Sequence, residues 1–145
     1  MTLDNAPFFL DTAYIVALAN ADDQWHQAAA RWEERLARGQ RRVVTTAFVL
    51  AEIGDGLAAV RRRSLAVSII DLLLAEPRVE IVPASSDLFA AAFALYRTRP
   101  DQGWGLADCA SFVVMRERGL TAALTADTHF RQAGFRALLL EEVPS

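Results

Sequence analysis

The sequence predicts an α/β domain built on a parallel sheet, and three observations carry that reading. Short apolar runs ending on carboxylates or hydroxyls, Phe8-Phe9-Leu10-Asp11-Thr12 first among them, alternate with segments of helical periodicity. That first run passes directly into Ala13-Tyr14-Ile15-Val16-Ala17-Leu18, as a buried central strand does when a helix follows it and covers the sheet. No repeat, low-complexity tract or linker interrupts the 145 residues, so a single domain is expected over 1–145. With 53% apolar and 23% charged residues, such a chain can bury a sizeable core without disulfides or structural metal.

Asp22-Asp23 predict the N-cap of a second helix, in which Trp25, Ala29, Trp32 and Leu36 recur at helical spacing as far as Gly39. The tryptophan stripe belongs to core packing, and His26 is expected to pack or face solvent and not to bind metal. Residues Arg41 to Thr46 form a strand ending in hydroxyls, after which Phe48, Val49, Ile53, Leu57 and Val60 mark a third helix. Glu52 lies within it, bordering the apolar face. The rise from Thr46 is about 9 Å, and a long side chain leaning toward the helix N-terminus recovers much of that, so Glu52 can reach back to the strand ends. Taken alone, it would be a surface glutamate with a partly buried stem.

Arg61-Arg62-Arg63 precede Ser64 to Leu74, a helix apolar nearly all round that needs cover on two sides, from a partner or a second copy. The triplet itself fits either a solvated helix start or a phosphate-binding patch. Arg78 to Pro83 form a third strand, and Ser86-Asp87 cap a helix carrying Phe89, Ala92, Phe93 and Tyr96 that stops before Pro100. The loop from Arg97 to Gly105 presents Trp104, which either packs on the domain or stacks on an unpaired base. A helix then begins at Ala107, with Asp108 in or beside its first turn and Cys109 as a small buried apolar group. Leu120 to Thr125 form a fourth strand, followed by Ala126-Asp127-Thr128-His129-Phe130 as a short helix starts, with His129 packing there. Phe135 to Leu140 form a fifth, and the tail from Glu141 is polar.

A net charge of −3 and a pI near 5.3 argue against holding nucleic acid by bulk charge; any such partner must meet a local patch. All 15 basic residues are arginine, and the absence of lysine excludes Walker-type phosphate loops, Schiff-base enzymes and receiver domains. One cysteine, Cys109, forms no internal bridge, which points to a reducing, cytoplasmic setting. Asp4 stands near the N-terminus, no basic apolar leader is present, and no run approaches the roughly 18 apolar residues of a membrane span, so no membrane partner is expected.

Asp11, Asp108 and Asp127 each have a local explanation, since aspartate is a favoured N-cap. Their joint pattern is more specific. Asp11 and Asp127 follow strands directly, while Glu52 and Asp108 lie early in helices that start on the same edge of a parallel sheet. At an effective dielectric near 20, each pair of such charges at about 4 Å costs about 4 kcal/mol, and a divalent cation removes that cost. Oxygen ligands favour Mg2+ or Mn2+ over zinc, and those ions suit phosphodiester hydrolysis. No nucleophile elbow supports serine or cysteine chemistry.

Asp11-Thr12 after an apolar strand, Thr45-Thr46 followed by Ala51-Glu52, Trp104 to Asp108-Cys109 with Ser111-Phe112, and Thr125 to Phe130 together resemble the PIN-domain ribonucleases, and among them the VapC-type toxins, from Phe8 to Leu140. The resemblance implies a three-layer α/β/α PIN-like fold whose five-stranded parallel sheet has the order 3-2-1-4-5. It further implies a metal-dependent endoribonuclease acting on single-stranded or loop RNA, commonly a homodimer, inhibited by a cognate antitoxin. Its catalytic acids would be Asp11, Glu52, Asp108 and Asp127, with Asp11, Asp108 and Asp127 holding Mg2+ (or Mn2+) and Glu52 a ligand or the group that orients water. Thr12, Thr45, Ser111 and Thr125 would support the site, and Arg61, Arg62, Arg63 and Trp104 are candidate RNA contacts. Ala13, Gly105 and Ala107 depart from relatives that carry hydroxyls or amides nearby, which thins the polar support around a metal. An RNA-processing nuclease outside a toxin pair, and a catalytically silent module of the same fold, stay open. A DxD-type phosphatase does not fit, because no second aspartate stands two residues after Asp11 and the lysine is missing.

Overall fold

The computed structural model describes residues 5–144. Strand β1 (Phe8–Leu10) lies at the centre of a parallel sheet ordered β3-β2-β1-β4-β5. On one side it pairs with β2 (Val43–Thr46), Phe8 beside Val43, and on the other with β4 (Ala122–Leu124), Leu10 beside Leu124. β3 (Val79–Val82) pairs along the whole of β2, and β5 (Arg136–Ala137) flanks β4. This is the strand order that the resemblance implies.

Helices α1 (Thr12–Ala19) and α2 (His26–Gly39) connect β1 to β2, and α3 (Ala47–Gly56) and α4 (Arg63–Ala75) connect β2 to β3. The chain then reverses along the sheet, through α5 (Ser86–Thr98) and α6 (Leu106–Glu117) to β4 and through α7 (Thr128–Gln132) to β5. Right-handed crossovers put α1 to α4 on one face and α5 to α7 on the other. The packing agrees: α1 lies against α2 and α3, and α6 against α5 and α7. Along β1 the side chains alternate between the two layers. Phe8 meets Trp32 of α2 edge-on, Phe9 faces Phe130 of α7, and Leu10 lines a groove with Tyr14 and Leu36.

Several boundaries differ from the sequence expectation. α2 starts at His26 and not on Asp22-Asp23, because Asp23 Oδ1 accepts from Trp25 N–H at 2.8 Å and closes a turn ahead of the helix. His26 then fixes α2 to α1, its Nδ1 2.7 Å from the Ala17 carbonyl, which is a packing role. α3 ends at Gly56, so Val60 leaves the helical stripe and is 90% exposed in a turn. The expected fifth strand breaks after Ala137 into a 3-10 turn over Leu138–Leu140, which buries both Leu138 and Leu139 where an extended strand would turn one outward. α5 is capped by Ser85, one residue earlier than expected, with its hydroxyl accepting from Leu88 N–H.

α4 covers only one side of itself, through Ala66 and Leu73, and leaves Val67, Leu72 and Leu74 more than half exposed. On α5, Phe89, Phe93 and Tyr96 form an exposed stacked row. No helix among the described residues is long and apolar enough to cross a membrane.

Phe9 joins the central strand to the α6 and α7 layer and is fully buried. Phe9→Ala is expected to lower stability by about 3–5 kcal/mol through lost burial and a residual cavity. Urea unfolding measures this, and a loss below about 1 kcal/mol would show that the contact does not organise the core.

Candidate active site

The strands all end at one edge, and Asp11 is the first residue beyond β1 there. It occupies the N-cap position of α1, yet its side chain makes no capping hydrogen bond. The Thr125 hydroxyl, just past β4, instead donates to Asp11 Oδ2 at 2.8 Å and accepts from Asp127 N–H at 3.0 Å. Asp11 is 5% exposed. Burial is the main reason its carboxyl is pushed up from 3.8 to about 7; the Thr125 hydrogen bond opposes the shift, and the charges of Asp108 and Glu52 add to it.

Glu52 reaches this edge from α3. That helix starts where Thr46, at the end of β2, accepts from Val49 N–H. One position earlier, the buried Thr45 hydroxyl donates to the Leu10 carbonyl at 2.8 Å and fastens the end of β2 to the end of β1. The Thr12 hydroxyl then donates to Glu52 Oε1 at 2.8 Å, linking α1 to α3. Burial first, then the charges of Asp108 and Asp127, hold the Glu52 carboxyl above its ordinary range.

Asp108 and Asp127 arrive from the other layer, and both also serve as caps. Asp108, in the first turn of α6, accepts from Gly105 N–H at 3.2 Å, and Asp127 at the start of α7 accepts from His129 N–H at 2.9 Å. Each leaves one carboxylate oxygen without a hydrogen-bond partner among the described residues, as does Glu52. Asp108 is also raised, by burial first and then by Asp127. The cap explanation and the site explanation are therefore compatible, since each carboxylate keeps one oxygen that its helix cap does not use.

His129 is the residue that sequence reasoning undervalued. It was expected as a packing residue, but its Nδ1 lies 3.2 Å from Asp108 Oδ2 and 3.3 Å from Asp127 Oδ1. One ligand atom from each of Asp108, Asp127 and His129 lies within 4.8 Å of the others. The available signal was its place two residues after a capping aspartate, which aims the first turn of a short helix at the strand ends.

The remaining candidates divide. Thr12, Thr45 and Thr125 make hydrogen bonds that hold the site together. Ser111 turns its hydroxyl back to the Ala107 carbonyl on its own helix. Trp104 is not a base platform: it is 4% exposed, meets Phe112 edge-on at 5.0 Å and donates to Gln132 Oε1. Packing takes its ring, with Phe112 of α6 against it. Arg61 and Arg62 are exposed on the turn between α3 and α4, and Arg63, exposed at the start of α4, donates to the Ala58 carbonyl.

Comparison with known proteins supplies the family. The model of the PIN domain matches residues 8–136. The 23S rRNA-specific endonuclease VapC20 of Mycobacterium tuberculosis is 33% identical over 130 residues, which cover 88% of this chain and 94% of that protein. The crystal structure of M. tuberculosis VapC20, a sarcin-ricin loop cleaving toxin, superposes with a TM-score of 0.76 at 29% identity, over 88% of this chain and 95% of the other. VapBC2 from Rickettsia felis, bound to a promoter DNA fragment, shares the fold with a TM-score of 0.65 at 19% identity, covering 91% of this chain and 97% of its own. FitAcB from Neisseria gonorrhoeae does so with a TM-score of 0.60 at 20% identity, covering 90% and 94%.

The raised Asp11 fixes a pH dependence. The native state of the metal-free protein holds this proton more tightly than the unfolded chain does, so the associated stability is full below 3.8, declines as pH rises and is gone above about 7. Asp11→Asn is expected to lessen the decline, leaving the part that Glu52 and Asp108 contribute, and to raise stability at about pH 8 by a few kcal/mol, at about 1.36 kcal/mol per pK unit. Unfolding in EDTA at about pH 5 and about pH 8 checks it; equal pH dependence in both proteins would refute the assignment.

Proposed function

The chain belongs to the PIN-domain family, and on that premise we propose that it is a Mg2+- or Mn2+-dependent endoribonuclease, the toxin of a type II toxin–antitoxin pair, which hydrolyses phosphodiester bonds in single-stranded or loop RNA. The observation that carries this reading is the convergence of Asp11, Glu52, Asp108 and Asp127 at one sheet edge, with three of the four carboxyls raised by burial and by one another. The likeness to a 23S rRNA-specific endonuclease over most of both chains supports RNA as substrate and makes an rRNA loop the first one to test.

The donor set fits a divalent cation. Four carboxylates supply the hard oxygens that Mg2+ and Mn2+ prefer, and the lone imidazole of His129 does not make a zinc site. Asp108 and Asp127 would hold the ion together with Asp11, and His129, set between two of these acids, orients them. When bound, the ion supplies positive charge against the phosphodiester and makes water a stronger acid. Glu52, positioned by Thr12, has a second oxygen with which to orient water and take its proton. Thr125 ties Asp11 to Asp127 and so keeps the two strand ends in register.

Arg61, Arg62 and Arg63 are the RNA contacts nearest in chain order to Glu52. α4 descends from them to the start of β3 over about 20 Å, longer than a four-residue strand, so the triplet stands toward the acidic edge. The uncovered apolar faces of α4 and α5 support a homodimer, and the toxin assignment calls for an antitoxin as a further partner in a cytoplasmic setting.

Purified protein with Mg2+ or Mn2+ is expected to cut 23S rRNA within a loop, to stop in EDTA, and to resume when the ion is restored. Asp11→Asn and Glu52→Gln should each lower the cleavage rate about a hundredfold or more. Cutting that survives EDTA, or survives Asp11→Asn, would sink the site assignment, and no cutting by the wild type of any loop-bearing RNA would sink the nuclease reading.

A further inference from the structure

The edge of the sheet opposite the acids carries the reverse charge. The strands begin there, and a cleft of about 780 Å³ opens between the C-terminal end of α2 and the starts of β1, β2 and β5. Its walls hold Arg35, Arg38, Arg41, Arg42 and Arg136, and no aspartate or glutamate among the described residues lines it. This concentration of arginine occurs on a chain whose net charge is −3.

Three of these arginines have structural employment. Arg41 lies 4.1 Å above the Phe8 ring and donates to the Ala6 carbonyl, Arg35 donates to the Pro144 carbonyl, and Arg136 pairs with Glu141 at 2.7 Å. Arg38 and Arg42 do not: both are exposed, and their guanidinium groups make no hydrogen bond or ion pair among the described residues. The negative end of α2 accounts for about half a charge near Arg38. The rest of the positive potential is unspent.

We propose that this cleft is a second, non-catalytic RNA site, which grips the phosphodiester backbone of the stem flanking the cut loop. The proposal rests on the chain being an RNA nuclease, and it answers a difficulty in that reading: four clustered carboxylates repel phosphates, so cations beyond the Arg61 to Arg63 triplet add to the affinity for RNA. Guanidinium forks suit phosphate oxygens. The aromatic residues of the cleft offer no platform for bases, since Trp32 is buried and Phe8 is covered by Arg41, so the site reads backbone and shape, not sequence. Along β1, Phe8 and Asp11 are separated by about 10 Å at 3.3 Å per residue. That strand is buried, so an RNA that spans both edges passes around the outside of the domain.

The test measures RNA binding by fluorescence anisotropy in EDTA over a range of salt, with two probes: a hairpin with a long duplex stem and the same loop on a minimal stem. For the long-stem probe, Arg38→Gln/Arg42→Gln is expected to raise Kd about tenfold and to reduce the salt slope by about two. Kd for the minimal hairpin, its kcat with Mn2+, and the thermal unfolding midpoint should stay as in the wild type. An unchanged Kd and salt slope for the long stem would overturn the proposal even if the wild type cuts RNA. Loss of polyglutamate binding without loss of RNA binding would overturn it in favour of an acidic protein segment. Should the double variant lose stem binding while wild-type protein cuts nothing, the cleft stands as an RNA site and the nuclease reading fails.

Discussion

The hydrogen bond from Thr125 to Asp11 is the contact on which the candidate site depends. A carboxyl with 5% exposure at the end of the central strand has lost most of its water, and this hydroxyl is its main compensation. The bond is possible because β4 lies directly beside β1, in register through Leu10 and Leu124, so both chains leave the sheet at the same height. Thr45 does the equivalent work from β2 by donating to the Leu10 carbonyl. The order of the strands thus decides which hydroxyls can reach the acid.

Around that bond the site is electrostatically frustrated by design of the topology. Helices that follow parallel strands begin at the strands' C-terminal edge, so α1, α3 and α7 point their positive ends toward the acids, and α6, which follows α5, has Asp108 of its first turn beside His129 there. Partial charges of that kind, together with caps from Gly105 and His129 amides, offset the crowding without cancelling it. The carboxyls stay raised, and the protein gives up some stability to keep the acidic cluster assembled. The opposite edge has the complementary arrangement, with the C-terminus of α2 facing a cluster of arginines. A modest net charge conceals two strongly charged ends.

Much of the fold was legible because its signals are local. The run Phe8 to Asp11 shows its strand through apolar content and its candidate site through the acid that ends it, and periodicity marks α2, α5 and α6 to within a few residues. The failures came where a local signal had two outcomes. Asp23 could cap a helix or close a turn and does the latter; Leu138 and Leu139 could extend a strand or turn, and burying both side chains favoured the turn. Trp104 could face solvent or pack, and Phe112 provided the surface that settled it.

By itself, the sequence determined the class of the fold and the four acids, because strand ends and helix starts are written in adjacent residues. Only the tertiary structure decided what those acids meet. Asp11 and Thr125 are far apart in the chain, as are Thr12 and Glu52, and their hydrogen bonds exist only once the sheet is ordered. The same holds for His129 between two carboxylates and for the basic cleft, whose arginines come from α2, the approach to β2 and β5. Periodicity fixes which way a residue faces within its own element; proximity between elements depends on strand order and crossover direction, which no local pattern encodes.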